Sequence, residues 1–184
     1  MIELVLGGAR SGKSHYAEAT AASLDCSYYY YIATAEAQDA EMARRIAQHQ
    51  QDRLNAKIDW QLIEAPQDIC TPLAQFNQPQ QCIVIDCLTL WLTNLLLAGA
   101  DINASKQALI DQLRMTQANV ILVSNEVGLG IVPLGELSRR FVDEAGWLNQ
   151  AIAAIADKVT FIAAGLPLRM KADGLYFNGT RHHL

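Results

Sequence analysis

Five stretches of this chain are dominated by apolar residues: Ile2 to Leu6, Tyr28 to Ala33, Cys82 to Asp86, Val120 to Asn125 and Val159 to Ala163. None alternates apolar with polar residues as a half-buried strand does. Strands of this kind need cover on both faces, which a parallel sheet between two layers of helix supplies. The segments between them have helical periodicity, and helices are expected at Lys13 to Leu24, Ala40 to Leu54, Pro66 to Phe76, Leu88 to Leu97, Ala104 to Gln117 and Leu134 to Ala156. Alternating strands and helices specify an α/β fold with a mostly parallel central sheet. The length of 184 residues and a 51% hydrophobic composition suit one domain with a sizeable core.

The first strand runs into LGGARSGKSHYAE, which contains G-x-x-x-x-G-K-S as Gly7, Gly12, Lys13 and Ser14. Strand, glycine-rich turn and helix is the context in which backbone N–H groups converge on phosphate oxygens. The positive end of the next helix faces the same oxygens, Lys13 reaches the β and γ phosphates, and Ser14 can ligate Mg²⁺. The competing reading is a glycine-rich turn with no ligand, and the surrounding pattern argues against it.

In open sheets of this type ligands gather beyond the carboxyl ends of the strands. That rule singles out Ala33, Thr34 and Ala35 after the second run, Asp86 and Cys87 after the third, and Asn125 to Gly128 after the fourth. Asp86 ends CIVID, where P-loop proteins place a carboxylate opposite the Ser/Thr of the loop to hold Mg²⁺ or its water. Glu126 is equally readable as part of a turn. The four tyrosine positions Tyr28 to Tyr31 read as strand structure more readily than as a base-stacking platform.

In the segment DAEMARRIAQHQQDRL, Arg45, His49 and Arg53 share a helical face at successive i, i+4 positions. Two guanidiniums beside an imidazole would bind phosphate oxygens and favour the neutral ring, whose nitrogen can attack phosphorus. An ordinary solvated basic face fits the same spacing.

The composition also excludes. A net charge of -5 argues against a polyanion-binding surface, so no nucleic-acid partner is expected. No run approaches the ~18 apolar residues of a membrane helix, and Met1 leads directly into a strand with no signal-peptide pattern, so no membrane partner and a cytoplasmic address are expected. Cys26, Cys70, Cys82 and Cys87 form no C-x-x-C pair and have no histidine at metal-ligand spacing; they read as free thiols, with Cys82 in the core.

Taken in order along the chain, LGGARSGKSHYAE, YIATAEAQDAEMARRIAQHQQDR, DWQLIEAP, VIDCLTLWLTNLL, VSNEVGLGIVP and FVDEAGWLNQAIAAIADKVTFIAAGLPLRMK resemble the bifunctional adenosylcobinamide kinase/adenosylcobinamide-phosphate guanylyltransferase family of cobalamin biosynthesis. R-I-x-x-H-x-x-x-R and NEVGxGIVP are the specific elements. The resemblance implies a P-loop NTPase (RecA-like) three-layer fold, spanning residues 1–171, with 172–184 as a tail that includes His182 and His183 and has no assigned function. It implies phosphorylation of the aminopropanol hydroxyl of adenosylcobinamide by ATP or GTP. It also implies transfer of GMP from GTP, through a GMP-histidine, to adenosylcobinamide phosphate.

By motif position the histidine is His49 and the catalytic lysine Lys13. The same positions imply nucleotide contacts at Gly7, Gly8, Ala9, Arg10, Ser11, Gly12, Lys13 and Ser14, at Ala33, Thr34 and Ala35, at Gln50, Gln51, Asp52 and Arg53, and at Glu64 and Asp86, with Mg²⁺ at Ser14 and Asp86. A homo-oligomer, a trimer, is implied as well. Leu54 stands where the family commonly has proline, which leaves the geometry of Arg53 open. Two other readings of the chain are a P-loop kinase for another small alcohol, with no guanylyl transfer, and a RecA-like nucleotide-driven switch.

Overall fold

The computed structural model describes residues 1–37, 40, 41, 43, 44, 47, 51, 58–172, 175 and 176. Its strands are β1 (Ile2–Gly7), β2 (Tyr28–Ala33), β3 (Trp60–Glu64), β4 (Gln81–Asp86), β5 (Asn119–Asn125), β6 (Lys158–Ala163), β7 (Leu166–Ala172) and β8 (Leu175–Tyr176). The helices with both ends described are α1 (Lys13–Ser23), α2 (Cys70–Gln75), α3 (Leu88–Leu97), α4 (Ile102–Met115) and α5 (Glu136–Ile155). One sheet holds these eight strands in the order β3-β2-β4-β5-β1-β6-β7-β8, with β1 to β6 parallel and β7 antiparallel to both of its neighbours, β6 and β8. The mostly parallel α/β sheet expected from the five apolar runs is therefore present.

Chain direction decides which face each helix covers. The steps β1 to β2 and β2 to β3 move one way across the sheet, whereas β3 to β4, β4 to β5 and β5 to β6 move the other way. Right-handed crossovers then require α1 on one face and α2 to α5 on the opposite face. The packing agrees: Ala17 and Ala21 of α1 bury against Val5, Tyr31, Val84 and Ile121, while Leu73, Leu92, Leu109 and Ile152 bury against Leu4, Ile32, Ile85 and Leu122. Small alanines at i, i+4 let α1 lie close to the strands.

Two helix starts and three strands differ from the sequence expectation. α2 begins at Cys70 instead of Pro66, because Asp68 accepts hydrogen bonds from Thr71 N–H (3.0 Å) and Thr71 Oγ1 (2.6 Å) just before the first turn. α4 begins at Ile102, two residues earlier than expected, with Asp101 as N-cap accepting the Ala104 N–H at 3.0 Å. β3, β7 and β8 were not anticipated. Of the helix expected over Ala40 to Leu54, residues 40, 41, 43, 44, 47 and 51 are helical and the remainder lie outside the described residues. The four cysteines are free and Cys82 is fully buried, as read from their spacing.

Candidate active site

β1 delivers the chain to its loop at Gly7. A Cβ there would lie 2.4 Å from the Ile162 carbonyl oxygen and 2.8 Å from Ser11 Oγ, so the neighbouring backbone leaves room for glycine alone. Arg10 (φ 55°) and Gly12 (φ 99°) both take left-handed backbone, and Gly8, Ala9 and Arg10 are exposed. Neighbouring elements hold the loop in place. The Glu126 N–H donates to the Gly7 carbonyl at 2.9 Å, and the Gly165 N–H donates to the Ser11 carbonyl at 2.9 Å. Ser11 Oγ is buried with no hydrogen-bond partner, a polar atom left free inside the cradle.

Lys13 opens α1 and is 7% exposed. Its Nζ donates to the Gly8 carbonyl at 2.6 Å. Burial pulls its pKa below the ordinary lysine value, and the nearby Asp86 carboxylate and Cys87 oppose that shift. An ammonium has three donors, so a buried one folded onto a loop carbonyl is poorly satisfied, and phosphate oxygens would complete its shell. Together with the free Ser11 hydroxyl, this makes the loop chemically suited to an oligophosphate.

Asp86 ends β4 beside the loop. Its Oδ2 accepts from Ser14 Oγ at 2.6 Å and from Tyr31 Oη at 2.7 Å. A hydroxyl and a carboxylate in contact form a set of hard oxygen donors of the type Mg²⁺ takes, so the residues present fit that ion. Among the described residues no group of three or more His, Cys, Asp or Glu is placed to hold a metal, so a bound cation would share its shell with phosphates and water.

Strand register adds a further feature. Ala33 pairs with Asp86 on one side and with Glu64 on the other, so Glu64, Ala33 and Asp86 form one row at the carboxyl ends of three parallel strands. Side chains in register on parallel strands share a face. Tyr31, two residues before Ala33, packs against α1, which assigns the row to the α1 face. The backbones of the two acidic residues thus stand about 10 Å apart, two strand spacings, with Ala33 between them. Glu64 is exposed.

Thr34 is fully buried. Its Oγ1 donates to the Cys87 carbonyl at 2.7 Å and accepts from the Cys87 N–H at 2.8 Å, which ties the end of β2 to the end of β4. Asn94 of α3 donates to the Thr34 carbonyl at 2.8 Å and to the Pro66 carbonyl at 2.9 Å, so one amide aligns the exits of β2 and β3. Ala35 follows, half-buried. The Glu126 carboxylate accepts the Gly128 N–H at 2.6 Å, making Asn125 to Gly128 a turn joined to the loop through Gly7.

The structure therefore brings Gly7 to Ser14, Asp86, Ala33, Thr34 and Glu64 to the same edge of the sheet. Gln51 is helical and exposed. His49, Gln50, Asp52 and Arg53, with Arg45, lie outside the described residues, as do His182 and His183. Sequence reasoning placed Tyr31 in the framework. It is framework, 2% exposed, but its hydroxyl also holds Asp86. Its position two residues before Ala33, on the strand next to Asp86, was the available signal.

Residues 3–170 match the family described as cobinamide kinase / cobinamide phosphate guanyltransferase. The chain is 50% identical to the bifunctional adenosylcobalamin biosynthesis protein CobP of Pseudomonas aeruginosa, over 95% of this chain and the whole of that protein. It is 39% identical to the bifunctional adenosylcobalamin biosynthesis protein CobU of Escherichia coli K12, over 93% of this chain and the whole of that protein. Among solved structures, an ATPase from the type III secretion system of pathogenic bacteria superposes with a TM-score of 0.51 at 13% identity, covering 91% of this chain and 56% of that one. That likeness shows the fold alone. With nearly its whole length matched, the chain belongs to the cobinamide kinase / cobinamide phosphate guanyltransferase family.

Proposed function

We propose that this chain performs both reactions of its family at the one cradle, as a cytoplasmic homotrimer whose catalytic unit is residues 1–171. The observation that carries the proposal is the placement of Lys13, Ser14, Asp86 and Glu64 on the α1 face, at the strand ends. In the kinase step the aminopropanol oxygen of adenosylcobinamide attacks the γ-phosphorus of ATP or GTP. The bond to the β-phosphate oxygen breaks, the hydroxyl proton leaves, and the nucleoside diphosphate departs. In the transferase step a ring nitrogen of His49 attacks the α-phosphorus of GTP and pyrophosphate leaves. A phosphate oxygen of adenosylcobinamide phosphate then displaces the histidine, giving adenosylcobinamide-GDP and a free imidazole.

Backbone N–H groups of Gly8 to Ser14, the Ser11 hydroxyl and Lys13 bind the triphosphate in both steps, and Lys13 leaves the Gly8 carbonyl to do so. Ser14 and Asp86 would hold Mg²⁺, oriented by Tyr31, and the ion supplies neutralisation of charge gathering on the departing oxygens. Glu64, Ala33 and Ala35, with Gln50 to Arg53, contact the rest of the nucleotide, and the buried Thr34 holds the strand ends beneath them.

Handedness supports the histidine assignment. β2 and β3 are parallel neighbours, and the general preference for right-handed crossovers favours the α1 face for a connection between them, the face of Asp86 and Glu64. The returning end of that connection agrees with this, since Ile58 packs into the α1-side core.

Mass spectrometry of the corrinoid after incubation with GTP, Mg²⁺ and adenosylcobinamide tests the proposal. The expected products gain first a phosphate and then a GMP unit. A corrinoid that stops at the phosphate would leave a kinase alone, and nucleotide hydrolysis with the corrinoid unchanged would favour the switch.

A further inference from the structure

The cradle has a polar side and an apolar side. Glu64 and Asp86 stand toward β3 and β4. On the β5 and β6 side, two segments are each joined to the P-loop by a backbone hydrogen bond: the stretch after β5, through Glu126 N–H to Gly7, and the β6–β7 hairpin, through Gly165 N–H to Ser11. Both present large apolar side chains to solvent. Leu129 is 81% exposed, Ile131 97%, Val132 72% and Leu134 98%, and on the hairpin Leu166 is 71% and Leu168 54% exposed.

The stretch after β5 is held, not slack. Its start is fixed by the Gly128 N–H on Glu126, and its end by the Arg139 guanidinium, which donates to the carbonyls of Pro133 and Leu134. It runs directly into Gly135, the N-cap of α5. Leu166 and Leu168 alternate with Pro167 and share the sheet face of Phe161, which packs into the core that α5 covers. Both apolar groups therefore lie on the α5 side of the P-loop. A concentration of exposed leucine and isoleucine on a fixed backbone marks a binding surface.

We infer that this rim, formed by Leu129, Ile131, Val132, Leu134, Leu166 and Leu168, is where the corrinoid rests while its side arm reaches the phosphates. The inference depends on the function proposed above. An acceptor oxygen must come within about 3–3.5 Å of phosphorus, so the body of the acceptor has to lie against whatever borders the phosphate end of the loop. The corrin macrocycle is a broad, largely hydrocarbon plate edged by methyl groups and neutral amides, which matches an apolar rim and not the carboxylate row. A fixed rim loses little conformational freedom when such a plate settles on it.

Titration with adenosylcobinamide, followed by its visible absorbance, tests the inference on two variants, Ile131→Ser with Leu134→Ser, and separately Leu166→Ser. Nucleotide affinity and sedimentation are measured in parallel. The expected result is corrinoid affinity weakened about tenfold or more in each, with GTP affinity and oligomeric state as in the wild type. Unchanged corrinoid affinity in both variants would overturn the inference. So would a changed oligomeric state with corrinoid affinity restored at high protein concentration, which would make the rim a contact between copies of the chain. Failure of the wild type itself to bind the corrinoid would instead overturn the proposed function. Because these side chains are already in solvent, unchanged GTP affinity also reports that the variants are folded.

Discussion

The two faces of the sheet are built for different tasks. On the α5 side, four helices cover the strands and bury a continuous apolar layer that includes Trp91, Leu92, Leu109, Leu113 and Ile152. On the α1 side, one described helix of eleven residues covers a smaller core, and the strand ends carry Asp86 and the exposed Glu64. Stability is concentrated on one face and polar chemistry on the other. A buried ammonium, a free buried hydroxyl and a carboxylate shared by two hydroxyls are costly to maintain beside an apolar core, and the opposite face offsets that cost.

Substitutions on each face should separate these roles. The largest expected effect is from Trp91→Ala. Trp91 is 1% exposed and its Nε1 donates to the Gln67 carbonyl at 2.6 Å, so the change should cost about 3–5 kcal/mol in denaturant unfolding. Nucleotide affinity of the folded fraction should be unchanged. Next comes Lys13→Ala. Both activities should fall by about 100-fold or more, equivalent to about 2.7 kcal/mol of transition-state stabilisation, while the thermal midpoint holds or rises because a buried cation is removed. Kinase activity at the normal rate in this variant would show that two nucleotide sites exist.

Tyr31→Phe is subtler. It deletes the hydroxyl holding Asp86 Oδ2 and retains the ring, so half-saturation by Mg²⁺ should rise about tenfold while stability drops by about 1 kcal/mol. A stability loss with no change in Mg²⁺ dependence would make Tyr31 framework only.

The smallest effect concerns the thiols. Burial pushes Cys82 up to about 12 and Cys87 up to about 11. A raised thiol pKa keeps the group neutral below that value, so at pH 8 neither is a thiolate. Iodoacetamide should leave both unmodified in the native protein while the half-buried Cys26 reacts, as read by intact mass. Fast alkylation of Cys87 would mean that the clasp of β2 and β4 around Thr34 opens readily.

Much of this division was legible in the sequence, and the exceptions have physical causes. Central strands such as β1, β4 and β5 are mainly apolar because both faces are covered, so they stand out as apolar runs. β3 lies at the edge of the sheet with β2 as its partner. Its residues Trp60 to Glu64 are half-buried or exposed, so no apolar run advertises it. β7 is an antiparallel strand near the other edge, largely exposed, and Pro167 lowers its strand signal, a residue that sheet margins tolerate.

The loop, its lysine and Asp86 were readable because backbone chemistry ties those residue types to fixed spacings. The row of Glu64, Ala33 and Asp86 was not, because it exists only through the register of three strands far apart in sequence. Glu64 itself came from family resemblance, and the structure supplies its physical relation to Asp86.

For guanylyl transfer as proposed, the His49 imidazole must reach the α-phosphorus of a nucleotide seated on Gly7 to Ser14. Incubation with α-labelled GTP and Mg²⁺, followed by acid or base treatment of the denatured protein, tests this directly. One covalent label is expected, lost in acid, retained in base and absent from His49→Ala. No label on the wild-type chain, or a label that survives in His49→Ala, would contradict it.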